Sequence, residues 1–245
     1  MSHLDVQSLT KHFGGVHAVN NVSISVDSGE RYAVIGPNGA GKSTFFNLIA
    51  GELPVTSGTV TFGGQDITHL PVHECAQLGI GRTFQRNNLF LGMSALENVR
   101  LAVQHQMGIT TRWFRSVTGF ANLQEKAQLL LQQVGLGEEA VRPVRELAYG
   151  QQRALEIALA LAVEPKILLL DEPTAGMSPA ETNDVVKLIQ GLPRTLTMMI
   201  VEHDMDVIFN IADRVTVLHY GEVIATGTPD DVRADAKVRE IYLGA

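Results

Sequence analysis

The stretch Gly36-Pro37-Asn38-Gly39-Ala40-Gly41-Lys42-Ser43-Thr44 decides the fold of this chain. It fits the pattern G-x-x-x-x-G-K-[ST], in which the backbone amides of a glycine-rich loop surround phosphate oxygens. The apolar run Tyr32–Ile35 before it predicts a buried strand, and Phe45–Ala50 after it has helical spacing. A strand, a glycine-rich loop and a helix in this order are the context that phosphate binding requires. The sequence therefore predicts a phosphate site here.

Two side chains of this phosphate-binding loop, or P-loop, carry the predicted chemistry. Lys42 places a positive charge on the β- and γ-phosphates of a nucleotide, and Ser43 supplies a hydroxyl ligand for Mg²⁺, with Thr44 as a second hydroxyl. The helix that follows adds the partial positive charge of its amino terminus. We predict that the whole loop from Gly36 to Thr44 binds a nucleotide, and a chance glycine-rich turn is the alternative.

Composition narrows the class of protein. A chain of 245 residues fits one large domain or a domain with a subdomain, and its 45% hydrophobic residues suffice for a sizeable core. The formal net charge of −7 argues against electrostatic binding of nucleic acid. The start of the chain lacks the pattern of an export signal, and no apolar run has the length of a membrane span. Because Cys75 is the single cysteine, no disulfide forms within the chain, and we expect a cytoplasmic protein.

The pattern of apolar residues predicts an α/β organisation. Leu4–Leu9 and Val22–Val26 alternate as half-buried strands do, which indicates an antiparallel element beside the nucleotide core. Ser94-Ala95-Leu96-Glu97 is a capping box that predicts a helix to about Val103. A second helix is predicted for Leu123–Val134. We therefore expect an α/β core at about 1–88 and 160–245, with a helical subdomain at about 89–159.

Two later apolar runs end in polar residues. Lys166–Glu172 is typical of a central parallel strand, and such strands present the side chains at their carboxyl ends to one edge of the sheet. At that edge we expect Asp171 to hold Mg²⁺ directly or through water, and Glu172 to accept a proton from the attacking water. Thr197–Val201 predicts another buried strand, after which His203 is expected to contact the γ-phosphate. A purely structural histidine is the alternative.

Six features in a fixed order resemble the ATP-binding cassette (ABC) ATPases. They correspond to the aromatic A-loop, the Walker A motif, the Q-loop, the signature motif, the Walker B motif with its catalytic glutamate, and the switch histidine. In that order they are Phe13, Gly36–Thr44, Gln85, Leu147–Gln151, Leu168–Glu172 and His203. Details of the sequence are similar to the larger ATPase subunit of branched-chain amino-acid importers. These details are Gly81-Arg82-Thr83-Phe84-Gln85, Leu147–Arg153, Glu202–Met205 and Ile241–Gly244.

The resemblance implies the fold and the remaining site residues. The implied fold is an α/β P-loop NTPase (RecA-like) parallel-sheet core with an antiparallel β subdomain and an inserted α-helical subdomain. Gln85 is implied to assist catalysis and to ligate Mg²⁺, and Gly150 and Gln151 are implied to bind the nucleotide of a facing cassette. Phe13 is placed to stack on a base, with a core or hairpin aromatic as the alternative.

The resemblance also implies the partners and the place of action. ATP is bound between two cassettes, which are paralogous or identical, and the dimer drives transmembrane permease subunits. A solute-binding protein acts indirectly, and branched-chain or related amino acids are the implied solute. The chain is then expected to be cytoplasmic and peripheral on the inner face of the cell membrane.

Three positions depart from the family pattern. Ala148 and Tyr149 replace the serine and the first glycine of the signature, and Ser178 replaces the aspartate of the D-loop. The missing serine hydroxyl removes a contact to the γ-phosphate worth about 1.5–3 kcal/mol. We therefore expect the isolated chain to be monomeric or weakly dimeric.

Two other classes of function are weighed against a transport ATPase. A non-transporter ABC protein of translation or DNA maintenance usually carries two cassettes or a long coiled coil, and neither is visible here. A GTPase or small-molecule kinase shares only the P-loop, and the chain has no Asn-Lys-x-Asp motif for guanine. The transport ATPase accounts for more of the sequence.

Two segments are expected to contact partners. The loop after Gln85 contains Leu89, Phe90, Leu91 and Met93, and we predict that it exposes these apolar side chains to the permease. Seating of the helical subdomain is the alternative. The basic and aromatic run Arg112–Arg115 either touches a membrane or a partner, or forms a plain surface loop.

Overall fold

The structure, a computed structural model, describes residues 2–83, 89–107 and 118–243. The chain divides into two compact units. Unit 1 comprises Met1–Arg82, Lys166–Pro173 and Pro193–Ala245, and unit 2 comprises Thr83–Pro165 and Thr174–Leu192. Gln85 and the run Arg112–Arg115 lie outside the described residues, so their predicted roles stay predictions.

Unit 1 contains a six-stranded sheet and a four-stranded sheet. The larger sheet has the strand order β10-β9-β3-β8-β7-β6, parallel except for β10, and the smaller sheet is antiparallel in the order β2-β1-β4-β5. The predicted parallel core with an antiparallel β element is therefore confirmed. The strands are β1 (Ser2–Phe13), β2 (Val16–Asp27), β3 (Arg31–Ile35), β4 (Ser57–Phe62), β5 (Gln65–Asp66), β6 (Ile80–Arg82), β7 (Ile167–Asp171), β8 (Thr197–Glu202), β9 (Arg214–His219) and β10 (Glu222–Gly227).

The three central strands bring the predicted catalytic residues to one edge. Every residue of β3, β7 and β8 is buried, as expected for parallel strands covered on both faces. Their register pairs Ile35 with Glu202 and Asp171 with Val201. Because the P-loop follows Ile35 directly, the loop and the carboxylates at the ends of β7 and β8 meet at the carboxyl edge of the sheet.

The smaller sheet shares the hydrophobic core of unit 1. β2 alternates buried and exposed residues along its second half, which explains its half-buried sequence pattern. Leu4, Val22 and Phe62 of this sheet belong to the same buried cluster as Phe45 and Leu169 of the nucleotide core. The hairpin is therefore packed onto the core rather than standing free.

Within the described residues unit 1 contains five helices, one of which the sequence pattern did not predict. That helix, α7, begins after Asp204, whose side chain accepts hydrogen bonds from the amides of Asp206 and Val207. Seven residues are too few for helical periodicity to stand out in the sequence. The helices of this unit are α1 (Lys42–Ile49), α2 (Val72–Leu78), α7 (Met205–Ile211), α8 (Pro229–Ala234) and α9 (Ala236–Leu243).

Unit 2 is helical in the part that the structure describes. The capping box at Ser94 and Glu97 is present, with each side chain bonded to the other residue's amide. A short 3-10 helix, Val144–Glu146, precedes the signature segment. No helix in the described ranges has both the length and the hydropathy of a membrane span. The helices of this unit are α3 (Ala95–Gln106), α4 (Thr118–Gln133), α5 (Tyr149–Ala162) and α6 (Pro179–Gly191).

Candidate functional site

The P-loop has a backbone that requires glycine at one position in particular. Gly41 has a φ angle of 101°, and a Cβ atom there would lie 2.2 Å from the carbonyl oxygen of Ala18. Only glycine fits this left-handed backbone against the neighbouring strand. The loop thus passes close to β2 and enters α1 at Lys42.

A cavity of about 320 Å³ lies against this loop within unit 1. It is lined by the loop residues Asn38 to Thr44, by the start of β2 at Val16 to Ala18, and by Glu172 and Tyr220. The P-loop cavity therefore combines backbone amides, the Lys42 ammonium and one carboxylate. These are the groups that bind phosphate and act on an attacking water.

Lys42 is buried at the floor of the site. Its Nζ donates to the carbonyl oxygen of Gly36 at 2.6 Å and to that of Pro37 at 3.1 Å. Burial lowers the pKa of Lys42, while the nearby carboxylates of Glu172, Asp171 and Glu202 act in the opposite direction. The loop carbonyls and these carboxylates hold an ammonium group where phosphate oxygens would meet it.

Asp171 is held by the largely buried Arg82, and one of its carboxylate oxygens has no hydrogen-bond partner among the described residues. Its Oδ2 accepts from Arg82 Nη2 at 2.9 Å, and Arg82 Nη1 also lies 2.9 Å from Glu52 Oε1. Asp171 Oδ1 is buried and has no hydrogen-bond partner among the described residues. Burial raises the pKa of Asp171, and the Arg82 guanidinium opposes that shift.

The free oxygen of Asp171 fits a role in holding Mg²⁺. This ion usually takes one or two carboxylates and leaves its other positions to water and phosphate oxygens. In the described part of the chain no three His, Cys, Asp or Glu side chains are clustered as a complete metal site. A single carboxylate with the Ser43 hydroxyl on the P-loop is compatible with binding that depends on a nucleotide.

Glu172 has a strained backbone that fixes its position. Its φ angle is 47°, a left-handed value that is uncommon for a residue with a side chain. Its N–H donates to the carbonyl oxygen of Val201 at 2.9 Å, so β8 secures the turn that follows β7. The Glu172 residue lines the P-loop cavity, as a general base for an attacking water must.

His203 follows the buried Glu202 at the end of β8. The His203 N–H donates to Glu202 Oε2 at 3.2 Å, and His203 Nδ1 lies 3.7 Å from the same oxygen. The imidazole side chain is 56% exposed, and it is not among the groups lining the P-loop cavity. The structure therefore places His203 at the correct edge of the sheet without bringing it to the P-loop.

Phe13 is an exposed aromatic at the end of β1. The ring is 48% exposed, which is inconsistent with the alternative of a core aromatic. It lies in the hairpin connection before Gly14, and the Lys11 ammonium is 5.2 Å from the ring centre. Phe13 is not among the residues that line the P-loop cavity, where Val16 and His17 contribute from the same hairpin.

The signature segment of unit 2 forms the first turn of α5. Ala148 is the residue before the helix and cannot accept a capping bond through its methyl group, so only its N–H is used, donating to Gln151 Oε1 at 3.0 Å. The Gly150 N–H donates to Glu181 Oε1 at 3.2 Å. The amino terminus of this helix therefore already donates a hydrogen bond to an anionic oxygen. The Gln151 side chain is occupied by Ala148 and by Glu139.

Several residues of these sites were not singled out from the sequence as site residues. Arg82 was recognised only within the run Gly81–Gln85 that resembles the family, although an arginine in a strand of the sheet that contains Asp171 suggests an ion pair. Tyr220 lines the P-loop cavity with a left-handed φ of 46°, and its position before Gly221 in a hairpin was the only hint. Glu181 gave no signal, because its contact with Gly150 joins residues 31 positions apart.

Comparison with known proteins agrees with this geometry. The family model described as ABC transporter matches residues 19–175, and the model described as branched-chain amino acid ATP-binding cassette transporter matches residues 222–245. The high-affinity branched-chain amino acid transport ATP-binding protein BraF of Pseudomonas aeruginosa is 40% identical over 250 residues, covering 98% of this chain and 97% of the relative. The corresponding protein LivG of Escherichia coli has the same identity and coverage.

Solved structures give the same result. An ATP-binding cassette of an ABC transporter, in its ADP conformation, superimposes with a TM-score of 0.87 at 32% identity and covers 100% of both chains. A dimeric bacterial ABC transporter cassette superimposes with a TM-score of 0.77 at 28% identity, covering 92% of this chain and 98% of the other. The P-loop NTPase fold is therefore confirmed, and the chain belongs to the ABC transporter family as an ATP-binding cassette.

Proposed function

We propose that this chain hydrolyses ATP to energise the import of branched-chain or related amino acids. The observation that carries the proposal is the P-loop cavity, where Lys42 and Glu172 lie beside a buried Asp171 with one unused oxygen. Each group has a distinct task in phosphoryl transfer to water, namely binding of phosphate, activation of water and retention of a metal ion.

The P-loop binds the phosphates of ATP. Amides of the loop from Gly36 to Thr44 donate to phosphate oxygens, and Lys42 Nζ exchanges its two carbonyl contacts for the β- and γ-phosphates. Ser43, Asp171 Oδ1 and Gln85 would hold Mg²⁺, which would supply positive charge against the phosphate oxygens. Phe13 stacks on the base from the exposed end of its hairpin.

Glu172 acts as the general base. Its backbone bond to Val201 and its strained φ hold the carboxylate at the cavity, where it accepts a proton from water that attacks the γ-phosphate. His203 is proposed to contact the γ-phosphate, for which its exposed imidazole must move toward the P-loop cavity that it does not line here. Gln85 is proposed to assist catalysis. Glu202 positions His203 through the amide and imidazole contacts described above.

A second cassette completes the catalytic arrangement. Gly150 and Gln151 face the nucleotide of that cassette, which is either a paralogue or a second copy of this chain. The contact of Gly150 with Glu181 supports this role, because it shows that the Gly150 N–H donates to an anionic oxygen, as it would to a phosphate oxygen. The dimeric cassette among the structural relatives supports the same arrangement.

The dimer acts on transmembrane permease subunits at the inner face of the membrane. Phe90 and Leu91 are exposed, while the backbone that carries them is held firmly. Buried Asn98 accepts from the Phe90 N–H at 2.9 Å and donates to the Phe90 carbonyl at 3.2 Å. Apolar side chains on such a fixed support suit a docking surface. A solute-binding protein acts through the permease.

Transport by the assembled complex tests this proposal. Vesicles containing this chain, its partner cassette and the permeases are supplied with ATP on the cassette side and labelled L-leucine with binding protein on the other. We expect leucine accumulation that requires ATP. ATP hydrolysis without accumulation of leucine, isoleucine or valine would refute the solute, and absence of ATP hydrolysis would refute the enzymatic role.

A further inference from the structure

A second cavity of about 310 Å³ lies within unit 1 and shares no lining residue with the P-loop cavity. It is lined by residues of three short helices, α7 and the last two helices of the chain, α8 and α9, and we call it the C-terminal cavity. Its volume is at the lower end of the range for small-molecule sites. The function proposed above makes no use of it.

Charged side chains of both signs line this C-terminal cavity. Asp206 comes from α7, Arg233 from α8 and Arg239 from α9. None of the three forms an ion pair with another described residue. Arg239 is oriented by a bond from its Nε to the Arg233 carbonyl oxygen at 3.0 Å, which leaves its two terminal nitrogens available. The cavity therefore offers a carboxylate and two guanidinium groups to a ligand.

The remaining wall of the cavity is apolar. Phe209 and Val238 contribute hydrocarbon surface, and the Arg233 guanidinium carbon lies 4.4 Å from the centre of the Phe209 ring. Tyr242 also lines the cavity, but its hydroxyl oxygen is buried and is not open to a ligand. The apolar wall therefore suits a ligand with a hydrocarbon side chain.

We propose that the C-terminal cavity binds a free amino acid with an apolar side chain. The two arginines bind its carboxylate, Asp206 binds its ammonium group, and Phe209 and Val238 contact its side chain. A nucleotide or other polyphosphate fits less well, because the Asp206 carboxylate repels it and finds no cation to bind. A zwitterion satisfies both signs of charge at once.

The position of the cavity connects it with the catalytic edge. α7 begins at Met205, two residues after His203, and it supplies Asp206 and Phe209 to the wall. The segment 222–245, matched by the branched-chain amino acid cassette model, supplies the residues from α8 and α9. The binding site itself does not depend on the ATPase proposed above, and its test is independent of nucleotide.

Calorimetric titration of the full chain with L-leucine tests the proposal. We expect saturable binding of one leucine per chain, and binding at least about tenfold weaker in Asp206→Asn and in Arg239→Gln. The matched controls Asp184→Asn and Arg145→Gln alter exposed charges of unit 2 and should bind leucine like the unchanged protein. Circular dichroism establishes that each variant is folded.

Ligand analogues give a second measurement that needs no variant. Leucinamide lacks the carboxylate and 4-methylpentanoate lacks the amine, so each should bind at least about tenfold more weakly than leucine. Lys42→Ala should leave leucine binding unchanged, which separates this cavity from the P-loop. The proposal would be overturned by an absence of saturable leucine binding, or by loss of that binding in Lys42→Ala. It would also be overturned if Asp206→Asn and Arg239→Gln both bound leucine as tightly as the unchanged protein.

Discussion

Arg82 joins the end of β6 to the last residue of β7 through a bond of 2.9 Å from its Nη2 to Asp171 Oδ2. The same guanidinium makes an ion pair with Glu52 on its other nitrogen. Both Arg82 and Asp171 are almost fully excluded from water, so the carboxylate has one fixed orientation. That orientation leaves Oδ1 as the oxygen available to a metal ion.

Removing Arg82 should destabilise the folded chain. Arg82→Ala leaves the Asp171 carboxylate buried without its cation, and breaking such a pair costs about 3–5 kcal/mol. Urea unfolding followed by circular dichroism measures the loss. Arg145→Ala, which removes an exposed arginine, should change the free energy of unfolding by about 0.5 kcal/mol or less. A loss below about 1 kcal/mol for Arg82→Ala would mean that the pair contributes little.

Nucleotide binding should depend on Lys42. Lys42→Ala removes the ammonium group of the P-loop, whose two contacts are loop carbonyls rather than acids, so the fold should survive. Binding of a fluorescent ATP analogue should become undetectable at concentrations that saturate the unchanged protein. Lys237→Ala, at an exposed position of α9, serves as the control and should bind normally. Normal affinity in Lys42→Ala would contradict the assignment of the P-loop.

The central part of the site could be predicted from sequence because it depends on local patterns. The P-loop, the acids Asp171 and Glu172 at the end of β7, and the strand before His203 each combine a buried run with polar residues at its end. The parallel arrangement of such runs brings those ends together. The order and type of the residues were therefore enough to predict which side chains meet at the carboxyl edge of the sheet.

Hydrolysis should depend on Glu172 more than binding does. Glu172→Gln keeps the size and hydrogen bonding of the side chain but removes the proton acceptor, so turnover should fall by about 10²-fold or more. ATP binding should persist and a closed dimer should accumulate, as sedimentation with ATP would reveal. Glu164→Gln is a matched control, because Glu164 also has a left-handed φ, of 52°, but belongs to unit 2. Turnover within about twofold of the unchanged protein would direct the search to His203.

His3 should make the folded chain sensitive to acid. Burial lowers the pKa of His3 from 6.5, and its Nε2 has no partner among the described residues. As the pH falls below about 6.5, His3 takes up a proton in the unfolded chain but stays neutral in the folded chain. Stability that is present above about pH 6.5 is therefore lost on acidification.

Urea unfolding at about pH 7.5 and about pH 5.5 measures the effect of His3. His3→Leu keeps an apolar contact with Phe62, whose ring centre is 4.6 Å from that of His3, and should reduce the loss of stability on acidification. His73→Leu, at an exposed histidine, should behave like the unchanged protein. An equal pH dependence in His3→Leu would exclude His3 as the source.

Contacts between distant positions could not be predicted from sequence. Arg82 and Asp171 are 89 positions apart, and nothing in either run indicates which acid the arginine meets. The apolar loop after Gln85 shows the same limit. Leu89 was expected to be exposed, but it is only 7% exposed and Met93 is half-buried, while Phe90 and Leu91 are exposed as predicted. Apolar character alone does not determine which side chains of a loop face the core.

The loop that carries Phe90 should transmit ATP binding to the permease. Phe90 is 59% exposed, and its backbone is held by buried Asn98, so an aspartate should be tolerated without unfolding. Phe90→Asp should leave ATP binding of the isolated chain nearly unchanged, because the residue does not line the P-loop cavity.

In membranes the charged side chain of Phe90→Asp should weaken assembly with the permease and abolish ATP-driven uptake. Leu129→Asp, an equally exposed apolar residue on α4, is the matched control and should transport normally. Unchanged assembly and uptake in Phe90→Asp would mean that this loop serves packing alone, whereas loss in both variants would indicate a general effect of added charge.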